Sequence, residues 1–434
     1  MPRSNPFTRQ NLSLRPDPSR VIIRPFRPTT EPRDLQPTDK KRANHIVDRV
    51  LALSPDTAAL QLTEVLDNFA GRHRDLVGQL DRNAGEMESA LVGHPGFTPI
   101  QRQLVGAYFL QEYSFEASAL FNPSIVPHPD QSGVPADSLR FVLSLRAVGE
   151  GHISSITFRT GLIGLDGRIT MDPSARLAAL PVVGRSCTDD DGEQSWLEFD
   201  GQWDISERVI FPVTARQSNG VEDVRFVAFE DEGRRTYLGT YTAYDGRGVR
   251  SEMIETSDFR TFRMMSLAGD APVNKGMALF PRRINGRYAM IGRQDNENLY
   301  LIYSDDLRTW NGGQLILAPR FPWEFVQIGN CGAPIELDQG WLMFTHGVGP
   351  IRKYSIGAVL LDRDDPSRVL ARTREPLIRP DPSEREGYVP NVVYSCGALR
   401  FGDRIVLPYA ISDSFTNFAS APIQAILDRL EPVG

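Results

Sequence analysis

Cysteine is scarce in this chain of 434 residues, which contains three: Cys187, Cys331 and Cys396. They lie far apart in sequence, form no C-x-x-C pair, and have no histidine at the spacing of a zinc ligand. The pattern argues against a disulfide framework and against a zinc site. It predicts three buried thiols instead.

Long apolar runs and an excess of basic residues are also lacking. No stretch of about 18 or more apolar residues is present, and the first twenty residues are polar and rich in Arg and Pro. We therefore expect a cytoplasmic protein with no membrane association. The formal net charge of -7 is unlike that of a protein built to bind nucleic acid. A small-molecule partner is favoured.

The N-terminal quarter of the chain combines an extended segment with helices. Residues 1–38 are rich in Pro and Arg around one apolar patch, which predicts an extended N-terminal arm. Residues 39–118 show helical periodicity, with Ser54-Pro55 and Thr98-Pro99 as helix starts. Apolar helical stripes are more typical of a packed core or an oligomer contact than of a ligand site. This region is predicted to mediate homo-oligomer formation.

From residue 119 onwards, short β-like runs separated by Gly, Asp and Asn turns replace the helical pattern. Five runs share a common form: residues 141–146, 237–242, 288–293, 341–346 and 405–410. The last four recur at intervals of roughly 50 to 65 residues, the spacing of four-stranded β-propeller blades. The sequence predicts a mainly β fold, with residues 119–434 forming a five-bladed β-propeller after the α-helical region.

A propeller brings equivalent positions of its blades to one central pocket. The sixth positions of the five runs are Arg146, Thr242, Arg293, His346 and Ala410. A pocket that combines Lys275, Arg293 and His346 with one carboxylate suits a bound oxyanion. Asp223, at the mouth of a β-rich segment, is the candidate proton donor. Taken singly, each of these side chains is more often a solvated turn residue or a member of an ion pair.

Several motifs, taken together and in order, resemble glycoside hydrolase family 130, the β-mannoside phosphorylases and related β-mannosidases. They are Gly-Val-Glu-Asp-x-Arg at 220–225, Ala-Leu-Phe-Pro at 278–281, Gly-Trp-Leu at 340–342, Thr-His-Gly-Val at 345–348, Leu-Leu-Asp at 360–362 and Asn-Val-Val-Tyr at 391–394. The resemblance covers roughly the last 320 residues. It implies a five-bladed propeller that cleaves β-mannosides.

The resemblance also implies roles for individual residues. Asp223 matches the catalytic acid, which protonates the glycosidic oxygen through a hydroxyl of the mannosyl residue. Four residues match phosphate-binding positions: Lys275, Arg293, His346 and Tyr354. Three match positions near the mannosyl unit: Asn122, Arg146 and Asp413. Glu386, which precedes Gly387, is a further candidate sugar contact. Lys275 stands where the family commonly has Arg, so it keeps the charge but loses the bidentate geometry.

Inverting phosphorolysis needs one acid and a cationic site for phosphate, because phosphate replaces the activated water of an inverting hydrolase. The expected enzyme is a glycosyltransferase of the phosphorylase type that forms α-mannose 1-phosphate. Its expected substrates are β-1,2- or β-1,4-linked manno-oligosaccharides or mannosyl-glucose, with phosphate as co-substrate and no metal or cofactor. Two alternatives stay open: an inverting β-mannosidase of the same family and a non-catalytic carbohydrate-binding propeller.

Overall fold

The computed structural model describes residues 5–26, 42–90, 96–184, 187–189 and 192–433. The boundary predicted between residues 38 and 39, and the side chain of Cys187, lie outside the described residues. The chain divides into two compact units. One comprises Met1–Asp17, Glu116–Ala175 and Leu180–Gly434, and the other comprises Pro18–Phe115 and Arg176–Ala179.

The smaller unit is mainly helical. The chain begins with β1 (Thr8–Leu14), which belongs to the larger unit, and continues with β2 (Ile22–Pro25), α1 (Arg42–Leu51), α2 (Pro55–Phe69), α3 (Leu76–Ala90), α4 (Pro99–Tyr108) and β3 (Leu110–Tyr113). Strands β2 and β3 pair antiparallel. The predicted helix starts are confirmed: the Ser54 side chain accepts a hydrogen bond from the Thr57 amide at 3.2 Å, and Thr98 forms a capping box with Gln101. The core of the unit includes Val47, Leu80, Leu104, Val105 and Phe109.

The larger unit is built of β-strands, which makes the protein mainly β. Its first strands are β4 (Ala119–Pro127), β5 (Ser138–Val148), β6 (Ser154–Gly164), β7 (Ile169–Met171), β8 (Val182–Val183), β9 (Cys187–Asp189), β10 (Gly192–Glu198), β11 (Val209–Ile210), β12 (Gly220–Asp231), β13 (Arg234–Tyr244), β14 (Val249–Thr256) and β15 (Thr261–Ser266). They form one 12-stranded sheet. Strands β6 and β12 meet in parallel at the single pair Ser154 and Gly220, so the sheet consists of two antiparallel sets joined at one point.

Three further sheets follow along the chain. Their strands are β16 (Ala278–Leu279), β17 (Tyr288–Gly292), β18 (Leu299–Ser304), β19 (Gln314–Leu317), β20 (Gln327–Asn330), β21 (Ile335–Leu337), β22 (Gly340–Val348), β23 (Tyr354–Leu361), β24 (Val369–Thr373), β25 (Val393–Tyr394), β26 (Leu399–Phe401), β27 (Arg404–Ile411), β28 (Phe415–Pro422) and β29 (Leu430–Pro432), with α5 (Ile423–Leu427) between the last two. The sheets have four strands from β16 to β19, six including β20 to β24 and β29, and five including β25 to β28 and β1.

The five sequence runs lie on strands whose pairing follows the same pattern. The runs fall on β5, β13, β17, β22 and β27. Each of these strands pairs antiparallel with the strand at which its segment begins, here called its entry strand: β4, β12, β16, β20 and β25. The runs are largely buried on both faces, which explains their nearly continuous apolar character. The predicted strands are therefore confirmed.

The two ends of the chain add outer strands to the last two sheets. Strand β1 pairs with β28, with Thr8 opposite Ser420, and β29 pairs with β24. Of the described part of the predicted N-terminal arm, β1 thus belongs to the larger unit, whereas β2 belongs to the helical unit.

The cores lie between neighbouring strands and contain the cysteines whose side chains are described. Cys331 and Cys396 are free thiols and buried, as predicted, and burial raises the pKa of Cys331 to about 12. Among the described residues, no group of three or more His, Cys, Asp and Glu side chains could hold a metal ion. None of the described helices is long and apolar enough to cross a membrane.

Candidate active site

An open cavity with an empty volume of about 510 Å³ lies where the entry strands of the larger unit come together. Eight of the nine predicted site residues line it: Asn122, Arg146, Asp223, Lys275, Arg293, His346, Tyr354 and Asp413. Glu386 is not among the lining residues, and its side chain is exposed.

Two entry strands present their polar side chains through the same backbone irregularity. Asn122 in β4 and Asp223 in β12 both have positive φ, 48° and 54°, and the pairing register of each strand shifts at that residue. Such bulges turn a side chain away from the direction that regular pleating would give it. The Asn122 amide donates to Asp223 Oδ1 at 2.6 Å. The matched bulges therefore hold the two side chains together.

Arg146 connects the acidic pair at the start of β12 to β6. Its Nη1 donates to Asp223 Oδ1 at 3.3 Å, its Nη2 to Glu222 Oε1 at 2.6 Å, and its Nε to Ser154 Oγ at 2.9 Å. All three partners are buried. One guanidinium therefore fixes two consecutive carboxylates, and Glu222 serves to hold Arg146 in place.

Asp223 is ionised in the free protein. Burial alone raises the pKa of this carboxyl, but the charges of Arg146, Lys275 and Arg225 and the Asn122 hydrogen bond outweigh burial. The pKa of Asp223 therefore lies below its ordinary value. A proton on Asp223 becomes favourable only when something offsets these cations.

Asp413 has the opposite electrostatic behaviour in the same cavity. Burial, and then repulsion from Asp223, raise its pKa from 3.8 to about 6, although Arg146 and Arg352 oppose the shift. Two carboxyl groups whose pKa values are driven apart in one cavity are a common arrangement where protons are transferred. Asp413 also has positive φ, 49°, in the turn between β27 and β28.

Arg293, which directly follows β17, forms a second group with His346 on β22 and Tyr354 on β23. Burial, and then the charges of the neighbouring arginines, hold the pKa of His346 well below its usual range. The neutral ring then donates from Nδ1 to the Asn330 carbonyl at 3.2 Å and accepts at Nε2 from Arg293 Nη1 at 3.2 Å. Tyr354 stacks on this ring with centroids 5.8 Å apart. The Nε of Arg293 is buried without a hydrogen-bond partner among the described residues.

Arg225 joins the two groups. It donates from Nη1 to the Asp223 carbonyl at 2.9 Å, from Nη2 to Tyr394 Oη at 2.6 Å, and from Nε to Asn330 Oδ1 at 3.2 Å. The Tyr394 ring in turn packs against His346, with centroids 4.7 Å apart. No role is predicted from the sequence for Arg225 or Tyr394, although both lie in family motifs, at 220–225 and 391–394.

Arg352 and Gln327 also line the cavity and had no sequence signal. Arg352 lies in the turn Pro350–Arg352 between β22 and β23, where it has positive φ, 52°. Its direction depends on this unusual backbone, which residue types alone do not reveal.

A larger cleft, with an empty volume of about 1550 Å³, lies elsewhere on the same unit, against β1 and residues 374–382. Its described lining includes none of the predicted site residues. Two of its arginines have acidic partners: Arg9 pairs with Glu384 at 2.8 Å, and Arg379 pairs with Glu375. Size alone therefore does not identify the site, and the convergent charges favour the smaller cavity.

Comparison with known proteins gives a consistent assignment. The family model described as β-1,4-mannooligosaccharide phosphorylase, of glycoside hydrolase family 130, matches residues 200–432, more than half of the chain. A 1,2-β-oligomannan phosphorylase from Thermoanaerobacter sp. is 35% identical over 221 residues, which is 50% of this chain and 72% of that protein. A β-1,4-mannooligosaccharide phosphorylase from Ruminococcus albus is 31% identical over 250 residues, or 53% of this chain and 72% of that protein.

A likeness of fold extends further along the chain. The structure of a β-1,2-mannobiose phosphorylase from Listeria innocua, in complex with β-1,2-mannobiose, gives a TM-score of 0.54 at 21% identity, covering 72% of this chain and 92% of that one. The segment matched by the family model contains Asp223 and the Arg293 and His346 group, whereas Asn122 and Arg146 precede it. By its sequence match and by the fold that it shares with this relative, the chain belongs to glycoside hydrolase family 130.

Proposed function

We propose that the protein catalyses inverting phosphorolysis of β-mannosides to α-mannose 1-phosphate, acting as a glycosyltransferase of the phosphorylase type. The charge of the cavity lining carries this proposal. The lining has four cationic side chains, Arg146, Lys275, Arg293 and Arg352, and two carboxylates, Asp223 and Asp413. The excess of positive charge suits a phosphate co-substrate. The relatives named above are phosphorylases, which supports the same conclusion.

Phosphate occupies the side of the cavity formed by Lys275, Arg293, His346 and Tyr354. The buried Nε of Arg293, which has no hydrogen-bond partner among the described residues, supports this placement because it leaves a guanidinium donor free to bind an anion. His346 holds Arg293 in place through Nε2 in the free protein. Once phosphate neutralises the neighbouring cations, a proton on His346 costs less, and the ring can then donate to phosphate as well.

The mannosyl unit lies against Asn122, Arg146 and Asp413, with Asp223 facing the glycosidic oxygen through a sugar hydroxyl. A phosphate oxygen forms the new bond to the anomeric carbon as the bond to the leaving oxygen breaks, and the proton of Asp223 passes through the hydroxyl to that oxygen. Asp223 must therefore gain a proton before cleavage. Bound phosphate favours this, because its negative charge offsets the cations that keep Asp223 ionised. Glu386 stays a proposed sugar contact outside the cavity lining.

The finer architecture is proposed to be a five-bladed β-propeller. Five entry strands, each paired antiparallel with one of the strands that carry the five runs, support it, as does the addition of β1 to the sheet of the C-terminal strands. The helical region is proposed to mediate homo-oligomer formation, because apolar side chains such as Leu60, 71% exposed, lie on the surface of its helices. Light scattering on the purified protein tests this. We also propose a cytoplasmic location and no metal or cofactor.

Hydrolysis is the second candidate, and one observation favours it: Asp413 is a second carboxylate in the cavity, as an inverting hydrolase requires. Incubation with β-1,2- and β-1,4-linked mannobiose, with and without inorganic phosphate, separates the two. We expect α-mannose 1-phosphate only when phosphate is present. Free mannose formed without phosphate would instead establish hydrolysis. Binding of mannobiose with no turnover under either condition would indicate a carbohydrate-binding module.

A further inference from the structure

Tyr388 and His152 form a hydrogen-bonded pair that has no role in the reaction proposed above. The two residues are 236 positions apart in sequence, and Tyr388 Oη lies 2.9 Å from His152 Nδ1. Their rings are 5.5 Å apart between centroids, with an interplanar angle of 41°. Tyr388 is 51% exposed, so much of its ring is accessible. An exposed aromatic ring in a fixed orientation is an arrangement well suited to binding.

Tyr388 is anchored beside the cavity by the turn that carries Asp413. Its amide donates to Ser414 Oγ at 2.8 Å, and the next amide, of Val389, donates to the Ser412 carbonyl at 3.0 Å. Gly387 packs so closely that a Cβ atom there would lie 2.5 Å from the Ser412 carbonyl oxygen. Val389 itself lines the cavity. The tyrosine is therefore held at the edge of the cavity, next to Asp413.

His152 is anchored on the Arg146 side of the same cavity. It ends the turn Glu150–His152 between β5 and β6 and has positive φ, 59°. Its amide bonds the Gly149 carbonyl at 3.2 Å, and Ser154, two residues later, accepts from Arg146. The pair therefore links the turn after β5 with the segment before β25.

A turn of the same construction lies between β22 and β23. There Gly349 donates to the Lys353 carbonyl at 3.0 Å, as Gly149 donates to the Ile153 carbonyl at 3.4 Å in the first turn. Ile351 occupies the position of Gly151 with a φ of 54° and is 94% exposed, although β-branched residues rarely adopt this backbone conformation. The next residue, Arg352, lines the cavity. Both turns therefore present side chains at the cavity edge through strained backbone.

We propose that Tyr388, oriented by His152, binds the sugar on the leaving-group side of the cleaved bond. The inference rests on the proposed function. The mannosyl unit fills the side of the cavity next to Asp223, so the leaving sugar extends toward the edge, where Tyr388 is exposed. Aromatic faces pack well against the apolar face of a pyranose ring, and the His152 hydrogen bond fixes the tyrosine ring before binding.

The test compares Tyr388→Ala, Tyr388→Phe and the parent enzyme in the synthetic direction, with mannose 1-phosphate as donor and mannose, mannobiose or mannotriose as acceptor. Tyr388→Ala should raise the acceptor KM by about tenfold, as expected for loss of one aromatic contact. The KM values for mannose 1-phosphate and, in phosphorolysis, for phosphate should not change. Tyr388→Phe and His152→Ala both keep an aromatic ring at position 388 and remove only its hydrogen bond, so they should raise the acceptor KM less than Tyr388→Ala does. Trp196→Ala, which removes another partly exposed aromatic ring, is the control and should change none of these values.

Two outcomes would overturn the inference. One is an unchanged acceptor KM in Tyr388→Ala. The other is an equal increase in the KM values for acceptor, donor and phosphate, which would indicate a general structural effect. Calorimetric titration of mannobiose and mannotriose into the parent protein and Tyr388→Phe tests the contact without turnover. Absence of turnover in the parent enzyme refutes the proposed function. Equal oligosaccharide affinity of the parent, Tyr388→Phe and a folded Tyr388→Ala refutes the proposed sugar contact of Tyr388.

Discussion

The two sides of the cavity hold their charges in different ways. On the Asp223 side, protein groups pair with the buried charges of Asp223 and Glu222: Arg146 contacts both carboxylates, and Asn122 donates to Asp223. On the Arg293 side, the partner of the guanidinium is a neutral imidazole, and one buried nitrogen has no partner among the described residues. The first side balances most of its charges within the protein, while the second leaves cationic donors available to an anion. This contrast agrees with the proposed division into a proton-transferring side and an anion-binding side.

The largest expected effect follows from removing the proposed acid, Asp223. Asp223→Asn keeps the shape but cannot supply a proton, so we expect kcat for phosphorolysis to fall by about 10²- to 10⁴-fold. Steady-state phosphate release or uptake measures this. Glu222→Gln is the matched control in the adjacent position and should lose less than about tenfold, because Glu222 acts only through Arg146. Equal losses in both variants would contradict the assignment of Asp223.

Removing the cationic side chain of Arg293 should instead weaken the binding of phosphate. Arg293→Ala should raise the KM for phosphate by about 10- to 100-fold, the effect of losing hydrogen bonds to a charged ligand. The KM for the mannoside should change little. Arg293→Lys restores charge without the planar fork and should give an intermediate value. An increase confined to the mannoside KM would move the anion site away from Arg293.

The opposite pKa shifts of the two carboxyl groups predict a difference in the pH dependence of stability. The pKa of Asp413 is raised to about 6, so its contribution to folding is present below its unfolded pKa near 4 and is lost as the pH rises through about 6. Chemical denaturation between pH 4 and 8 should show this loss in the parent protein, on the order of 1 to 3 kcal/mol, and much less of it in Asp413→Asn. The control is Asp403→Asn at an exposed site. Parallel pH profiles for the parent and Asp413→Asn would contradict the shift.

The smallest expected effect concerns the two similar turns at the cavity edge. Ile351→Gly removes a β-branched residue from a backbone with positive φ and should raise the free energy of unfolding by up to about 1 kcal/mol. Gly151→Ala introduces the same strain into the other turn and should lower it by about 1 to 2 kcal/mol. Thermal and urea unfolding measure both. Destabilisation by Ile351→Gly would show that the isoleucine side chain has a packing partner.

Much of the fold could be predicted because the strands are short, apolar and regularly spaced. Each run at 141–146, 237–242, 288–293, 341–346 and 405–410 lies on the second strand of its set, and the polar residues before them, such as Asp223 and Lys275, reach one cavity. The family resemblance supplied Tyr354, Asn122 and Asp413. The roles of these residues stay predictions, as does the sugar contact of Glu386.

Other parts of the site depend on long-range contacts and on backbone conformation. Arg225 bonds Asn330 and Tyr394 across 105 and 169 positions, and no local pattern marks such partners. Arg352 reaches the cavity through a turn with positive φ at a residue type that rarely adopts it. The pair of Tyr388 and His152 joins two segments of the larger unit that are 236 positions apart in sequence. Sequence patterns predict strands well, but they do not predict which distant side chains meet.

The pairing of Thr8 with Ser420 affects how the protein is made. The strand β1 is synthesised long before its partner β28. The sheet that contains both cannot be completed until β28 has left the ribosome, so β1 stays unpaired, with its edge exposed, until then. Closure of this contact, with its very large sequence separation, is therefore expected to be a late and slow step of folding.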